Sequence, residues 1–329
     1  MTGSKPQPLI LDSLDELVYR ATTTLAGIQL DLFTALKDGP LSAAQIAESI
    51  GVETAKLQPL LYALVIVGLL TVEEGSFANT AEADYYLVRG RPGYQGHRHK
   101  YWSDIWRAVL TVGESIRTGL PQAKHDYSAM PAYELEEFLH GLYPWTYDTG
   151  QWLAQNHDFS SCQVVLDAGG GSGALAIAMT TALPHLKAIV VEQAAVAPVT
   201  QRFVERLGAS DRVQVKAVDL TRHPLSGPFD AAFLKAVIQT ISLEEACLVL
   251  QNIYEALRPG GTVYVLDGPL DNSRLTPPDL VLFNAVFTAI YDHGQKYTIQ
   301  EYRDVLTDAG FEGFALDADR IITARKPPS

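Results

Sequence analysis

The chain has 329 residues, 38 of them acidic against 25 basic, for a formal net charge of −13, and only two cysteines, Cys162 and Cys247. That balance argues against nucleic acid or an anionic membrane as the main partner, because both reward a basic face. Two cysteines exclude a disulfide framework and a Cys/His zinc site, which leaves a small-molecule partner in a reducing cytoplasm as the expectation.

In chain order, MTGSKPQP lacks the apolar core of a secretory signal, and no later apolar run is long enough to span a bilayer. Leu11 to Leu36 carries Leu14, Leu17, Val18, Ala21, Leu25, Ile28, Leu32 and Phe33 at helical spacing, more apolar surface than one terminal segment buries in its own domain. A partner chain is expected to cover part of it. LSAAQIAESIGV follows, with Ser42 as N-cap, Gln45 in the capping-box position and Gly51 as the stop. A second helix spans Thr54 to Val67, and LLTVEEGSFANT reads as a hairpin turning at Glu74-Gly75. Helix, turn, helix and hairpin make a winged-helix module within residues 1–110. Its second helix has one lysine where a recognition helix carries Arg, Lys, Asn or Gln toward bases, so DNA is set aside.

GRPGYQG is a loop, and His97 and His99 beyond it read as solvent-exposed, without the carboxylates of a metal site. No metal is expected. The chain is richest in aromatic residues from 121 to 154, with Tyr127, Tyr133, His140, Tyr143, Trp145 and Tyr147. About half of these are expected to do no more than pack a core between domains.

The stretch VVLDAGGGSGALAIAM, Val164 to Met179, reads as a buried strand, a glycine turn and a helix. Only residues without Cβ turn this tightly while leaving backbone amides open to a ligand. Gly169, Gly171 and Ala174 satisfy the relaxed dinucleotide pattern GxGxxA, but Asp167 at the mouth of the loop repels a pyrophosphate and suits the cationic end of S-adenosylmethionine. Glu192, ending the strand AIVVEQ, is placed for ribose hydroxyls, and Asp219, closing VQVKAVDL, for an adenine amino group. Strands and helices then alternate, and GFEGFALDAD with RIITARKP supplies a closing antiparallel pair.

DAGGGSG, VVEQ, VDL, FDAAFLKAVI and ALRPGGTVYVLDGPL resemble, in order and spacing, the motifs of class I methyltransferases. Specifically, they resemble the bacterial and plant small-molecule O-methyltransferase group that includes acetylserotonin and caffeate methyltransferases. This resemblance implies an α/β, Rossmann-like domain over 160–329 that binds S-adenosyl-L-methionine, behind an N-terminal helical winged-helix domain that forms a homodimer. A helical linker over 111–159 is then expected to line the substrate pocket. Expected cofactor contacts are Asp167, Gly169, Gly171, Glu192, Gln193, Asp219 and Leu220, with Lys235 near the methionyl end. Tyr133, His140, Tyr143, Tyr147, Asn284 and Tyr291 are the expected substrate contacts, and Gln239, Tyr147 and His293 the expected catalytic group.

Family members place a histidine base in a segment resembling LKHVLHDWSDE. Here LKAVIQTISLEE puts Ala236 and Gln239 in the two histidine positions, with Gln239 in that of the base. Of the two flanking carboxylates, Asp267 remains and Lys296 replaces the other. Glutamine cannot take a proton at neutral pH. Three readings follow. The acceptor is an atom with a free lone pair, foremost a thioether of the methylthiohydroxybutyrate kind, then an amine or a stabilised carbanion, with Lys296, Arg274 or His125 holding a substrate carboxylate. Alternatively His140, His125 or His293 serves as an unusual base for an oxygen. In the third, the donor is bound and not consumed, as in pericyclic, decarboxylating or hydroxylating relatives.

Overall fold

The structure, a computed structural model, describes residues 7–328 and divides into two compact units after Ser103. Most of the N-terminal stretch in which no secretory signal is read lies outside the described residues. Among those described, no single helix is long and apolar enough to cross a membrane.

The first unit holds α1 (Leu9–Gln29), α2 (Leu32–Ala35), β1 (Leu41–Ser42), α3 (Ala43–Ile50), α4 (Thr54–Val67), β2 (Leu70–Glu73), β3 (Ser76–Asn79) and α5 (Ala81–Leu87). The helical spacing read from Leu11 to Leu36 is carried by two helices, α1 and α2, with a break between them. Asp31 takes a left-handed conformation (φ 51°), which a short polar side chain tolerates, and its carboxylate accepts the Thr34 hydroxyl at 2.6 Å. Ser42 and Gln45 form the anticipated capping box, and Glu74 and Gly75, both at positive φ, turn the hairpin of β2 and β3. Strand β1 completes a small antiparallel sheet in the order β1-β3-β2. Phe33, Ile46, Leu61, Leu64 and Phe77 form the core, while Leu14, Leu17 and Val18 on α1 stay exposed. His97 is half-buried against the Tyr94 ring, 5.1 Å between centroids, rather than exposed.

The division falls inside α6 (Arg98–Val109), ahead of the boundary expected at residue 110. The second unit continues with α7 (Val112–Thr118) and α8 (Ala132–Asn156), then β4 (Val164–Ala168), α9 (Ala174–Ala182), β5 (Lys187–Glu192), α10 (Ala197–Arg206) and β6 (Val213–Ala217). It closes with β7 (Phe229–Leu234), α11 (Leu243–Ala256), β8 (Leu257–Val265), α12 (Pro278–Ile290), α13 (Ile299–Asp308), β9 (Glu312–Leu316) and β10 (Ile322–Arg325). One seven-stranded sheet runs β6-β5-β4-β7-β8-β10-β9, parallel from β6 to β8, with β10 antiparallel to both β8 and β9. The chain winds outward from β4 to β6, then restarts at β7 on the other side of β4. That reversal opens a crevice at the carboxyl ends of β4 and β7, where doubly wound sheets bind ligands. Helix α8 packs so tightly on α9 that a Cβ at Gly150 would stand 2.7 Å from the Leu175 carbonyl oxygen.

Candidate active site

Asp167 is the penultimate residue of β4, inside the parallel sheet and 1% exposed. Neither of its carboxylate oxygens is hydrogen-bonded to a described residue. Burial pushes the carboxyl up to about 7, and the nearby Ala176 amide draws it back only in part. The glycines beside it are sterically required. A Cβ on Gly170 would meet Asp167 Oδ2 at 2.6 Å, and Gly169, at φ +68°, would put one 2.7 Å from the Val237 side chain. Glu192, ending β5, accepts the Gly171 amide at 2.8 Å and the Gln193 amide at 2.9 Å, and the Thr200 hydroxyl donates to the Gly171 carbonyl at 2.5 Å. Burial raises Glu192 while those two amides pull it back. The glycine turn is therefore fastened before any ligand arrives.

The other expected cofactor residues lie at neighbouring strand ends. Gln193 is exposed and enters through its backbone, and Leu220 is buried with its carbonyl bonded to Asn252 at 2.8 Å. Asp219, beyond the end of β6, accepts the Thr221 amide and hydroxyl at 3.0 and 2.6 Å, which hold its carboxyl below the ordinary range, and pairs with Arg222 at 3.4 Å. Lys235 follows β7 directly, 4.9 Å from the centre of the Trp145 ring. Burial pushes its ammonium down to about 8, against the pull of Asp267 and Asp167.

Gln239, Asp267 and Lys296 form one buried cluster. The Asp267 carboxylate accepts the Val237 amide at 3.2 Å, the Gln239 amide at 2.9 Å and the Tyr302 hydroxyl at 2.9 Å. The Lys296 ammonium donates to the side-chain oxygen of Gln239 and to the backbone carbonyl of Asp267. Asn284 on α12 accepts the Lys296 backbone amide at 2.6 Å, so it positions the lysine. Burial lowers Lys296, with Asp267 and Asp279 acting against it.

The aromatic residues divide into two groups. Tyr127 and Tyr291 approach through their hydroxyls at 3.4 Å, beside His125, whose ring centroid lies 6.0 Å from Tyr127 and 5.9 Å from Tyr291. His125 Nε2 is 2.7 Å from Asp104 Oδ2, and its buried Nδ1 has no partner among the described residues. On α8, Tyr143 stacks on Tyr147 (5.7 Å) and on Phe203 (5.9 Å), and His140 also packs on Phe203 (5.8 Å). Three expectations are corrected. Tyr133 is 68% exposed and donates to its neighbour Glu134, outside both groups. His293 is exposed, on the solvent side of the turn that brings in Lys296. Arg274 is committed to Glu301 at 2.7 Å and does not join the cluster. Sequence reasoning missed Asp104 and Tyr302, because each becomes relevant only through a partner distant in the chain.

A family model described as an O-methyltransferase domain matches residues 119–312, and one described as an O-methyltransferase dimerisation domain matches residues 18–89. The chain belongs to the O-methyltransferase family. The 3-hydroxy-5-methyl-1-naphthoate 3-O-methyltransferase of Streptomyces sahachiroi is 30% identical over 311 residues, covering 92% of this chain and 89% of its own. The N,N-dimethyltransferase OxyT of Streptomyces rimosus is 26% identical over 303 residues, covering 89% and 87%. Human N-acetylserotonin methyltransferase, solved in complex with S-adenosylmethionine, superposes with a TM-score of 0.88 at 23% identity, covering 99% of this chain and 100% of its own. The methyltransferase acts on a small molecule and takes its methyl group from S-adenosylmethionine. Its residues fit that donor. The Asp167 carboxylate, without a hydrogen-bond partner among the described residues, suits a cationic one, the glycines clear space beside it, and Glu192 keeps lone pairs beyond its two amide bonds for hydroxyls.

Proposed function

We propose that this methyltransferase acts on an acceptor whose electron pair is already free, with no protein base at the acceptor atom. The observation that carries this is the bond from the Lys296 ammonium to the Gln239 side-chain oxygen. It engages the only accepting side-chain atom of the residue standing in the base position, an amide oxygen too weakly basic to take a proton, and Asp267 behind it already accepts three donors. When bound, S-adenosylmethionine supplies a methyl group on a cationic sulfur, which keeps the pair of the broken S–C bond while the acceptor's pair forms the new one. The chain contributes alignment, exclusion of water and charge compensation, of which alignment is worth up to about 7–11 kcal/mol. Thioethers, neutral amines and ionised oxygens or carbons all meet this requirement; the relatives named for N,N-dimethylation and 3-O-methylation support the amine and oxygen classes. The apolar outer face of α1 supports action as a homodimer.

The test is kcat against pH for two acceptors of different acidity. Any rising limb is expected to follow the acceptor's own ionisation, and Gln239→Ala to cost less than about 10-fold on the plateau above that limb, where loss of a general base costs about 10²–10⁴. A limb that stays at one pH whatever the acceptor would reject the proposal.

One observation favours a second reading. Asp104 Oδ2 lies 2.7 Å from one ring nitrogen of His125, and the other, buried beside Tyr127 and Tyr291, has no partner among the described residues, so the ring has a carboxylate neighbour on one side and a free nitrogen on the other, as a base requires. Under it, His125→Asn abolishes the limb and lowers kcat by about 10²–10⁴. Under the first reading, the same variant leaves the limb in place.

A further inference from the structure

We infer that Lys296 is a positioning residue: it holds Gln239 so that an amide N–H, not the carbonyl, is offered to the acceptor, and the site thereby selects an acidic hydroxyl in its ionised form. This rests on the base-free reading and deepens it. A carboxamide can present either end, but an ammonium carries only donors, so contact with Lys296 assigns the oxygen of Gln239 to the lysine side. The amide nitrogen is left over. It makes no hydrogen bond to a described residue and is not among the buried polar atoms sealed off without a partner.

Rotation is blocked from the lysine side as well. Lys296 is tied by its ammonium to the Asp267 carbonyl and by its backbone amide to Asn284, and Gln239 is tied by its own amide to the Asp267 carboxylate. The polarity of the position is therefore inverted relative to the family: a donor stands where a proton acceptor is usual. Donors hold an anionic oxygen about twice as strongly as a neutral one. Toward a neutral amine the same N–H would engage the single lone pair that must react, and the cationic product of an amine or a thioether would then face the buried ammonium. The charges facing Lys296 are Asp267 at the end of β8, Asp279 on α12 and Lys235 after β7. The Asp267 charge is shared among three donors directed at its carboxylate, so it offsets the two lysines only in part.

The experiment is a visible-absorbance titration of 4-nitrophenol bound to the S-adenosylhomocysteine-saturated protein. Its ionisation midpoint is expected to fall by about one pH unit or more on binding, equivalent to about 10-fold preference for the anion. Gln239→Glu, which retains an oxygen for Lys296 but lacks the N–H, and Lys296→Met are both expected to lose the shift. Unchanged affinity for S-adenosylhomocysteine shows that each variant is folded. An unchanged or raised midpoint in the wild type, or a shift surviving in both variants, overturns the inference. So does calorimetry in which 3-methylthiopropionate or aniline binds more tightly than every ionised phenol in a panel, or in which no ionised phenol binds. A neutral acceptor preferred with a pH-independent kcat would remove this inference and leave the base-free reading standing; a fixed protein limb would remove both.

Discussion

Asp167 carries a charge that the ligand-free fold disfavours, and replacing it tests the cofactor assignment and the electrostatics together. Its carboxyl sits at about 7 in the folded chain against an ordinary 3.8. That difference is about three units, each worth about 1.4 kcal/mol. The folded state holds this proton more tightly than the unfolded chain does, so stability falls as pH rises from about 4 and levels off above about 7. Near pH 8 the cost has an upper figure of about 4 kcal/mol, reduced wherever water reaches the cleft. Asp167→Asn removes the charge at nearly constant volume. The ligand-free variant is expected to melt several degrees above the wild type near pH 8, at about 2–4 °C per kcal/mol, with the gap shrinking by more than half near pH 5. Saturating S-adenosylhomocysteine should narrow that gap. The wild type gains a charge-assisted bond worth about 1.5–3 kcal/mol that the variant lacks, so affinity in the variant falls by about 10- to 150-fold. Differential scanning fluorimetry across this pH range, with and without ligand, reads all of it. A variant less stable than the wild type near pH 8, a gap independent of pH, or equal ligand affinity would each refute the reasoning.

Two further outcomes are expected. Asp230, nearly buried on β7, accepts the amides of Gln163 (2.7 Å) and Val164 (2.9 Å) and pairs with Arg258 at 2.5 Å, so Asp230→Ala should cost about 3 kcal/mol in urea unfolding; a loss under about 0.5 kcal/mol would show that those amides find water instead. Leu14 and Leu17 are 49% and 62% exposed on α1, and Leu14→Asp combined with Leu17→Asp should give a monomer of unchanged helicity by light scattering. A dimer that persists would place the interface elsewhere.

The features legible in the sequence are those whose physics is local. The capping box at Ser42, the turn at Glu74-Gly75 and the glycine loop after β4 follow from backbone preferences within a few residues, and each appears where it was read. The periodicity of the first helix was equally visible, but its break at Asp31 was not, because apolar spacing says where a helix must face and not where the backbone turns. In the site, the absence of a histidine at position 239 was plain from the motif. The consequence was not.

Sequence alone determined the fold class, the donor type and the presence of glutamine at position 239, since all three are properties of residue type at fixed spacing. Tertiary structure decided which groups meet: Lys296 reaches Gln239 from 57 positions away, Tyr302 joins Asp267, Asp104 pairs with His125, and Tyr133 and His293 face water. A side chain's hydrogen-bond polarity and charge state depend on what burial brings against it, and burial is set by packing between segments that the linear order keeps far apart.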